Sequence, residues 1–394
     1  MRGVCKKGPH AVGPVAAGAA VSLSAAERTR YQRHLSLAEI GPAGQEKLKA
    51  ARVLVVGAGG LGSPAALYLA AAGCGTLGLL DCDEVELSNL QRQILFDTSA
   101  VGLPKAVAGA ARLAALNPDI RVIAHPLELT ATNAAALVAQ YDLVLDGSDR
   151  LATRYLVNDA CVLGHRALVS AAIHRFEGQL LTYIPGAGPC YRCAFPHGQG
   201  AIVANCATAG VLGVLPGVLG TLQATEALKL ITGTGVPLTG RLLTYDALEM
   251  RFAEFRVARR SDCTVCGNSP SITELKDEPP MSDPVSAAVR HLSPTELAEM
   301  LQGGASPPLL VDVREDYEFE AGHLKDAVHV PLGRLPAYLG TLAPDSAPVF
   351  ICRGGMRSMS ACALALRAGV HSPANLDGGM LRWAAEVDPG IEVA

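Results

Sequence analysis

Apolar residues fall in short uninterrupted runs separated by glycine turns and alanine-rich stretches. ARVLVVGAGGLGSPAALYLAAAGCGTLGLLD, ending at Asp81, reads as strand, glycine turn, helix and strand, one βαβ unit. Two further runs of strand character follow, YDLVLDGSD from Tyr141 and RALVSAA from Arg166. Strands that alternate with Ala-rich helices predict an α/β fold with a mostly parallel, doubly wound sheet. Ahead of them SAAERTRYQRHLSL has the spacing of one amphipathic helix, so a domain is expected to begin at Ser24. The nearest approach to a membrane span is ATAGVLGVLPGVLGTLQA, residues 207–224. Pro216 and several glycines interrupt it and polar residues bound it, so a buried helix is expected there and no membrane association.

The pattern changes at GNSPSITELKDEPPMSDPVS, residues 267–286, which is rich in Pro and Ser with mixed charge. Beyond it HLSPTELAEML predicts a capped helix, PLLVDVRE a buried strand, and APVFICRGG a strand running into a loop. The expected organisation is a disordered extension over 1–23, a first domain over 24–268, a linker over 269–289 and a smaller α/β domain over 290–394. The extension starts with two lysines and small apolar residues, as a secretory leader does, but Gly13, Pro14 and Gly18 break the apolar run.

Composition narrows the function classes. With 394 residues, 49% hydrophobic and 18% charged, the chain is long enough for two or three globular units. A net charge of −4 supplies no basic field, so no direct nucleic-acid partner is expected. Eleven cysteines, an odd number that includes close C-x-x-C pairs, suit a reducing cytoplasm with metal or thiol chemistry better than a disulfide framework.

GAGGLG follows a strand and opens a helix, the context in which its glycines, Gly57, Gly59, Gly60 and Gly62, let backbone approach phosphates at a helix N-terminus. Asp81, at the end of the next strand, is placed for a ribose hydroxyl. To this point an NAD-dependent oxidoreductase fits equally well. DCDEVELSNLQRQ then adds Asn89, Arg92 and Gln93, and GLPKA adds Lys105. Two fixed cations with polar amides suit an ATP whose α-phosphate is under attack, because they stabilise charge building on phosphoryl oxygens. LDGSDR supplies Asp146 and Asp149, and Asp149 is the candidate Mg²⁺ ligand. CYRC (Cys190, Cys193) and CTVC (Cys263, Cys266) each offer two thiolates to a closed, structural Zn²⁺ site. CRGGMRS, residues 352–358, sets Cys352 in a loop with Arg353 and Arg357, at the head of an expected helix.

At these residues the chain resembles the MoeB/ThiF family, bacterial relatives of ubiquitin-activating enzymes. The matching stretches are RYQRH, GAGGLG, LLDCDEVELSNLQRQ, VGLPKA, LVLDGSD, CYRC, GVLGVLPGVLGTLQATEALK and CTVC. The resemblance implies a Rossmann-like sheet with a zinc-binding site of four cysteines, and adenylation of the C-terminal Gly-Gly of a small ubiquitin-like sulfur-carrier protein (MoaD/ThiS-like). It implies that Asp81 binds ribose, that Asn89, Arg92 and Lys105 bind the triphosphate, and that Asp149 binds magnesium. It also implies a homodimer in which Arg33 reaches the neighbouring subunit's phosphates. Cys206, in ANCATAG, matches a position where relatives keep a cysteine able to bond to the activated carrier or to resolve a persulfide adduct. The family often has an acid two residues on, where this chain has Thr208.

From about His291 onward, LLVDVREDYEFEAGHLKDAVHVPL, VFICRGGMRS and NLDGGMLRW resemble a rhodanese sulfurtransferase domain. That likeness implies that Cys352 carries a persulfide, loaded by an upstream persulfide or thiosulfate donor. Related phosphatases usually place five residues between cysteine and arginine, whereas Cys352 and Arg357 enclose four. Asp312 and Arg314 are expected to fix the loop, and Cys5, Cys74, Cys82, Cys161 and Cys362 carry no motif. A tRNA-modifying dehydratase of the same superfamily and a binding module with a degenerate site are the remaining alternatives. Carrier and pathway stay open among molybdopterin, tRNA-thiolation, thiamine and cysteine routes.

Overall fold

Residues 22–196, 210–277, 289–302 and 308–393 are described by a computed structural model. Cys5, Cys206 and Thr208, the expected extension up to residue 21, and residues 278–288 of the expected linker lie outside them. The described residues divide into two compact units, with the boundary after residue 278.

In the first unit β1 (Arg52–Val56) pairs in parallel with β2 (Thr76–Leu80) on one side and β4 (Leu143–Asp146) on the other. β3 (Arg121–His125) and β5 (Ala167–His174) extend the parallel region. The run LVV after Val53 is uninterrupted because β1 is covered on both faces. Val53 and Val55 join one apolar layer with the helices Gly62–Ala71 and Leu215–Thr232, while Leu54 and Val56 join another with the helix Leu151–Leu163.

The sheet is mostly parallel, as the sequence pattern predicts, and continues past β5 in antiparallel strands. β6 (Glu177–Tyr183), β7 (Arg241–Asp246) and β8 (Arg251–Arg256) add to β5 as an antiparallel meander, giving the order β3-β2-β1-β4-β5-β6-β7-β8. β5 and β6 are joined by a tight hairpin at Arg175, whose φ of 52° makes the reversal.

Two helical expectations are also refined. The helix expected from Ser24 breaks at Tyr31 into Ala25–Arg30 and Gln32–Leu35. Tyr31 turns inward, where its hydroxyl accepts a hydrogen bond from Asn117 Nδ2 at 2.8 Å. Within the described part of the apolar stretch 207–224, residues 210–214 are not helical and the helix runs over Leu215–Thr232, with Pro216 in its first turn, where a missing N–H costs nothing. A Cβ on Gly220 would collide with the Leu61 carbonyl, so glycine there lets this helix pack closely on the end of the glycine loop. No helix among the described residues is long and apolar enough to cross a membrane.

The second unit is a parallel sheet of β9 (Arg290–Leu292), β10 (Leu310–Asp312), β11 (Val328–His329), β12 (Val349–Ile351) and β13 (Ala374–Leu376) in the order β11-β10-β12-β13-β9. Ser293 opens the helix Pro294–Gln302, its hydroxyl accepting the Glu296 amide while Glu296 accepts the Ser293 amide. The loops after β12 and β13 leave the same end of the sheet, which brings residues 352–355 against residues 378–380.

Candidate active sites

The glycine loop lies where β1 and β4 diverge, the point at which strand order reverses. Gly57 follows β1 with φ of 88°, and a Cβ there would sit 3.0 Å from the Gly147 carbonyl, in the loop after β4. Gly62 starts the next helix, where a Cβ would collide with the Gly57 carbonyl. The glycines are therefore required by backbone meeting backbone. Gly59 differs: the nearest atom to an added Cβ is Gln93 Nε2 at 3.8 Å, leaving space over the loop.

Asp81 is tied to this loop. Its Oδ2 accepts the Ala58 amide at 2.8 Å and its Oδ1 accepts the Asp83 amide at 2.9 Å. Burial pushes its carboxyl above the usual value, against the two amides and the nearby Lys105 charge, which pull it down. Lys105 is buried, 3.1 Å from Asp83 Oδ2. Asn89 and Gln93 are buried too, and Gln93 Oε1 has no partner among the described residues. Arg92 is half-buried; its Nη1 donates to the Ser88 carbonyl at 3.2 Å, and its Cγ lies 3.6 Å from the Cβ position of Gly60. Buried Lys105, half-buried Arg92 and the Gln93 amide nitrogen beside an open glycine loop are donors that fit a polyphosphate.

The two acids at the end of β4 and in the loop beyond it divide their roles. Asp146 is fully buried and accepts from the Ser148 amide, the Ser148 hydroxyl and the Ser170 hydroxyl, so it holds the loop. Asp149 is exposed at the loop's rim. Arg33 is exposed on the helix Gln32–Leu35.

Cys190, Cys193, Cys263 and Cys266 converge, with all four sulfurs within 4.8 Å of one another. The spacings of 3.9, 3.6 and 3.4 Å for the pairs 190/193, 190/263 and 193/266 bracket the roughly 3.8 Å edge of a tetrahedron with Zn–S of about 2.3 Å. They are too long for disulfides. The first knuckle is anchored by Arg192, whose guanidinium makes a buried bidentate pair with Asp159 at 2.8 and 2.7 Å, and by the Tyr191 amide, which donates to Asn158 Oδ1. The donor set and its support fit zinc.

In the second unit Cys352 is 1% exposed at the end of β12. Its sulfur accepts the Gly355 amide at 3.1 Å and lies 3.3 Å from the Ser358 hydroxyl. Gly355, with φ of 90°, caps the helix Met356–Arg367, so that helix starts beside the thiol. The Met380 and Leu381 amides donate to the Cys352 and Arg353 carbonyls at 2.8 and 3.0 Å, and a Cβ on Gly379 would collide with the Cys352 carbonyl. The D-G-G turn thus fixes the loop from behind.

Arg357 does not lend its charge freely to the sulfur as the sequence suggests, because Glu318 takes it in a bidentate pair. Asp312 and Arg314 form a fully buried pair at 2.8 Å, and Arg314 also donates to the Gly322 carbonyl. Glu318 and Ser358 escaped the sequence reading; the capping box of Glu315 and Glu318 was the local hint for the former. Gln223 also escaped: inside an apolar helix, its Nε2 ties down the Asp146 and Val169 carbonyls at 2.8 and 3.1 Å.

Comparison with known proteins bears on both units. The model of the ThiF family matches residues 31–265, and that of the rhodanese-like domain matches residues 293–386. The adenylyltransferase and sulfurtransferase MOCS3 of Aedes aegypti is 42% identical, covering 93% of this chain and 89% of its own. The probable adenylyltransferase/sulfurtransferase MoeZ of Mycobacterium tuberculosis (strain ATCC 25618 / H37Rv) is 41% identical over 94% and 96%. Among solved structures, that of E. coli MccB with AMPCPP and MccA superposes with a TM-score of 0.56 at 26% identity, covering 61% of this chain and 75% of the other.

Proposed function

Because the chain belongs to the ThiF family and carries a rhodanese-like domain, we propose that it adenylates the C-terminal glycine of a small ubiquitin-like sulfur-carrier protein ending in Gly-Gly and then sulfurates it from Cys352. The observation that carries this reading is the pairing, in one chain, of a glycine loop beside Lys105, Arg92 and Gln93 with a cysteine loop in which the Gly355 amide donates to the Cys352 sulfur at the start of a helix.

The first step needs no general base. The carrier carboxylate is already a nucleophile at neutral pH; it attacks the α-phosphorus of ATP, and pyrophosphate leaves. Asp81 holds the ribose, Asn89 and Gln93 orient the phosphates, and Arg92 and Lys105 stabilise the added charge. Arg33 completes the phosphate site from the partner of a homodimer. Asp149 would hold the magnesium that accompanies ATP, which supplies charge neutralisation. Zinc held by Cys190, Cys193, Cys263 and Cys266 would tie residues 190–193 to 263–266, with no open ligand position for chemistry.

In the second step the Cys352 persulfide anion attacks the acyl-adenylate, AMP leaves, and an acyl-disulfide links carrier and Cys352. A second thiolate, Cys206, attacks the Cys352 sulfur of that disulfide. The carrier departs as a thiocarboxylate and a Cys206–Cys352 disulfide remains for reduction. Cys206→Ala should slow release while leaving adenylation intact, and an unchanged rate removes Cys206 from the mechanism. The reducing cytoplasm is the proposed site of action, where such thiols stay reduced.

ATP–pyrophosphate exchange tests the first half. Exchange should require a Gly-Gly-ended carrier, vanish in Lys105→Ala and persist in Cys352→Ala. Exchange without any carrier, or none with any, contradicts the reading.

A further inference from the structure

Arg357 closes the cysteine loop, but its charge is spent elsewhere. Both terminal nitrogens bond to the two oxygens of Glu318 at 2.5 Å, and the Glu318 side chain is 3% exposed against 18% for Arg357. Glu318 also accepts the Glu315 amide at 3.1 Å. Burial would raise the Glu318 carboxyl, yet the Arg357 pair and the Glu315 amide outweigh it and hold the group below its usual range, so it stays ionised at neutral pH. The pair has no net charge.

Among the described contacts, the Gly355 amide donates to Cys352 and a twelve-residue helix starts beside it, while the Ser358 hydroxyl, 3.3 Å from the sulfur, also donates to the Gly355 carbonyl. These partial charges match one anion. Arg353 is exposed, where water and salt screen its charge. A thiolate meeting a dianion would bring three negative charges to a loop equipped for fewer.

Resting on the reading of Cys352 as the sulfur carrier, we infer that Glu318 sets donor selectivity. By neutralising Arg357, it makes the loop take sulfur from singly charged sulfane donors, the class of a cysteine persulfide, in preference to the thiosulfate dianion. The chemistry is the same for each donor. The Cys352 thiolate attacks the outer sulfur, the donor S–S bond breaks with its electron pair on the leaving group, and Cys352 persulfide forms. The leaving group is a thiolate from a persulfide, sulfite from thiosulfate and a sulfinate from a thiosulfonate. Glu318 touches neither reactant, so it is a positioning residue.

The test uses the full chain without ATP or carrier, following thiocyanate released when cyanide strips sulfur from Cys352. Thiosulfate is compared with methanethiosulfonate, which carries one charge instead of two, and with cysteine persulfide. Wild type should favour the two singly charged donors by roughly tenfold in kcat/KM. Glu318→Gln should lower KM for thiosulfate about tenfold and move the singly charged donors far less, and Glu318→Asp should restore the preference. Equal use of all three donors by wild type overturns the inference whether or not the variants fold. So does a parallel loss for every donor in a Glu318→Gln protein with a native melting curve. Thiocyanate from none of the donors, with Cys352 still open to alkylation, would instead remove the sulfur-carrier reading beneath it.

Discussion

Asp81 accepts the Ala58 amide at 2.8 Å, so the acid proposed to hold ribose also holds the glycine loop in place. Its two oxygens serve two backbone donors, Ala58 and Asp83. Asp81→Ala should cost about 2 kcal/mol of ATP affinity, roughly thirtyfold, measured by calorimetric titration. Acidification should weaken ATP binding as well. Burial raises the folded Asp81 carboxyl above 3.8, so the free protein takes up a proton at higher pH than the unfolded chain does. That group's contribution to fold stability therefore falls as pH rises through the window, while nucleotide binding, which uses the carboxylate, improves. Affinity independent of pH between about 4 and 6 contradicts the assignment.

Gly62→Ala should be among the harshest small substitutions in the first unit. The methyl would meet the Gly57 carbonyl in backbone with no flexible side chain to yield. A loss of about 3 kcal/mol is expected, with ATP no longer raising the melting temperature. A wild-type melting curve would mean that the loop is looser than its packing indicates.

The glycine loop, the zinc knuckles and the cysteine loop were legible in sequence because each is local: backbone geometry or ligand spacing constrains residues a few positions apart. Glu318 and Arg357 meet across 39 positions, and Gln223 reaches Asp146 across 77, so neither link leaves a periodic mark. The break at Tyr31 follows from a distant partner, Asn117, and the meander from β6 to β8 from strand pairings that apolar runs do not encode. Packing decided these features, and they are where the sequence reading needed refinement.

The four-cysteine cluster should hold one zinc per chain, measured by elemental analysis. Cys263→Ser should lower zinc content and the melting temperature of the first unit, since metal binding free energy is folding free energy. Thiocyanate formation at Cys352 should be retained, because the two centres lie in different compact units. Zinc loss that abolished sulfur loading would assign the metal a different task.

Thiol mapping should separate the working cysteine from the packed ones. Burial pushes Cys74 and Cys362 up to about 12, and Cys161 higher still. At a pH of about 8 these should resist iodoacetamide while Cys352 reacts, and preloading with a sulfane donor should change the Cys352 adduct by one sulfur. Rapid labelling of Cys362 in native protein would contradict the packing of the second unit.

Arg33 can be tested by subunit mixing. Arg33→Ala and Lys105→Ala should each be inactive in pyrophosphate exchange. If Arg33 acts across a dimer, co-refolding the two creates one site with neither defect, and activity returns. If it acts within its own chain, no mixed site is intact and activity stays absent.

The most direct measurement of the central claim is intact-protein mass spectrometry of a Gly-Gly-ended carrier after incubation with the enzyme, Mg-ATP and cysteine persulfide. The account predicts that one carrier oxygen is replaced by sulfur, and that Cys352→Ala leaves the carrier without sulfur while AMP-linked carrier still forms. Sulfuration that persists in Cys352→Ala would contradict it, because the sulfur would then reach the carrier by a route that bypasses the loop.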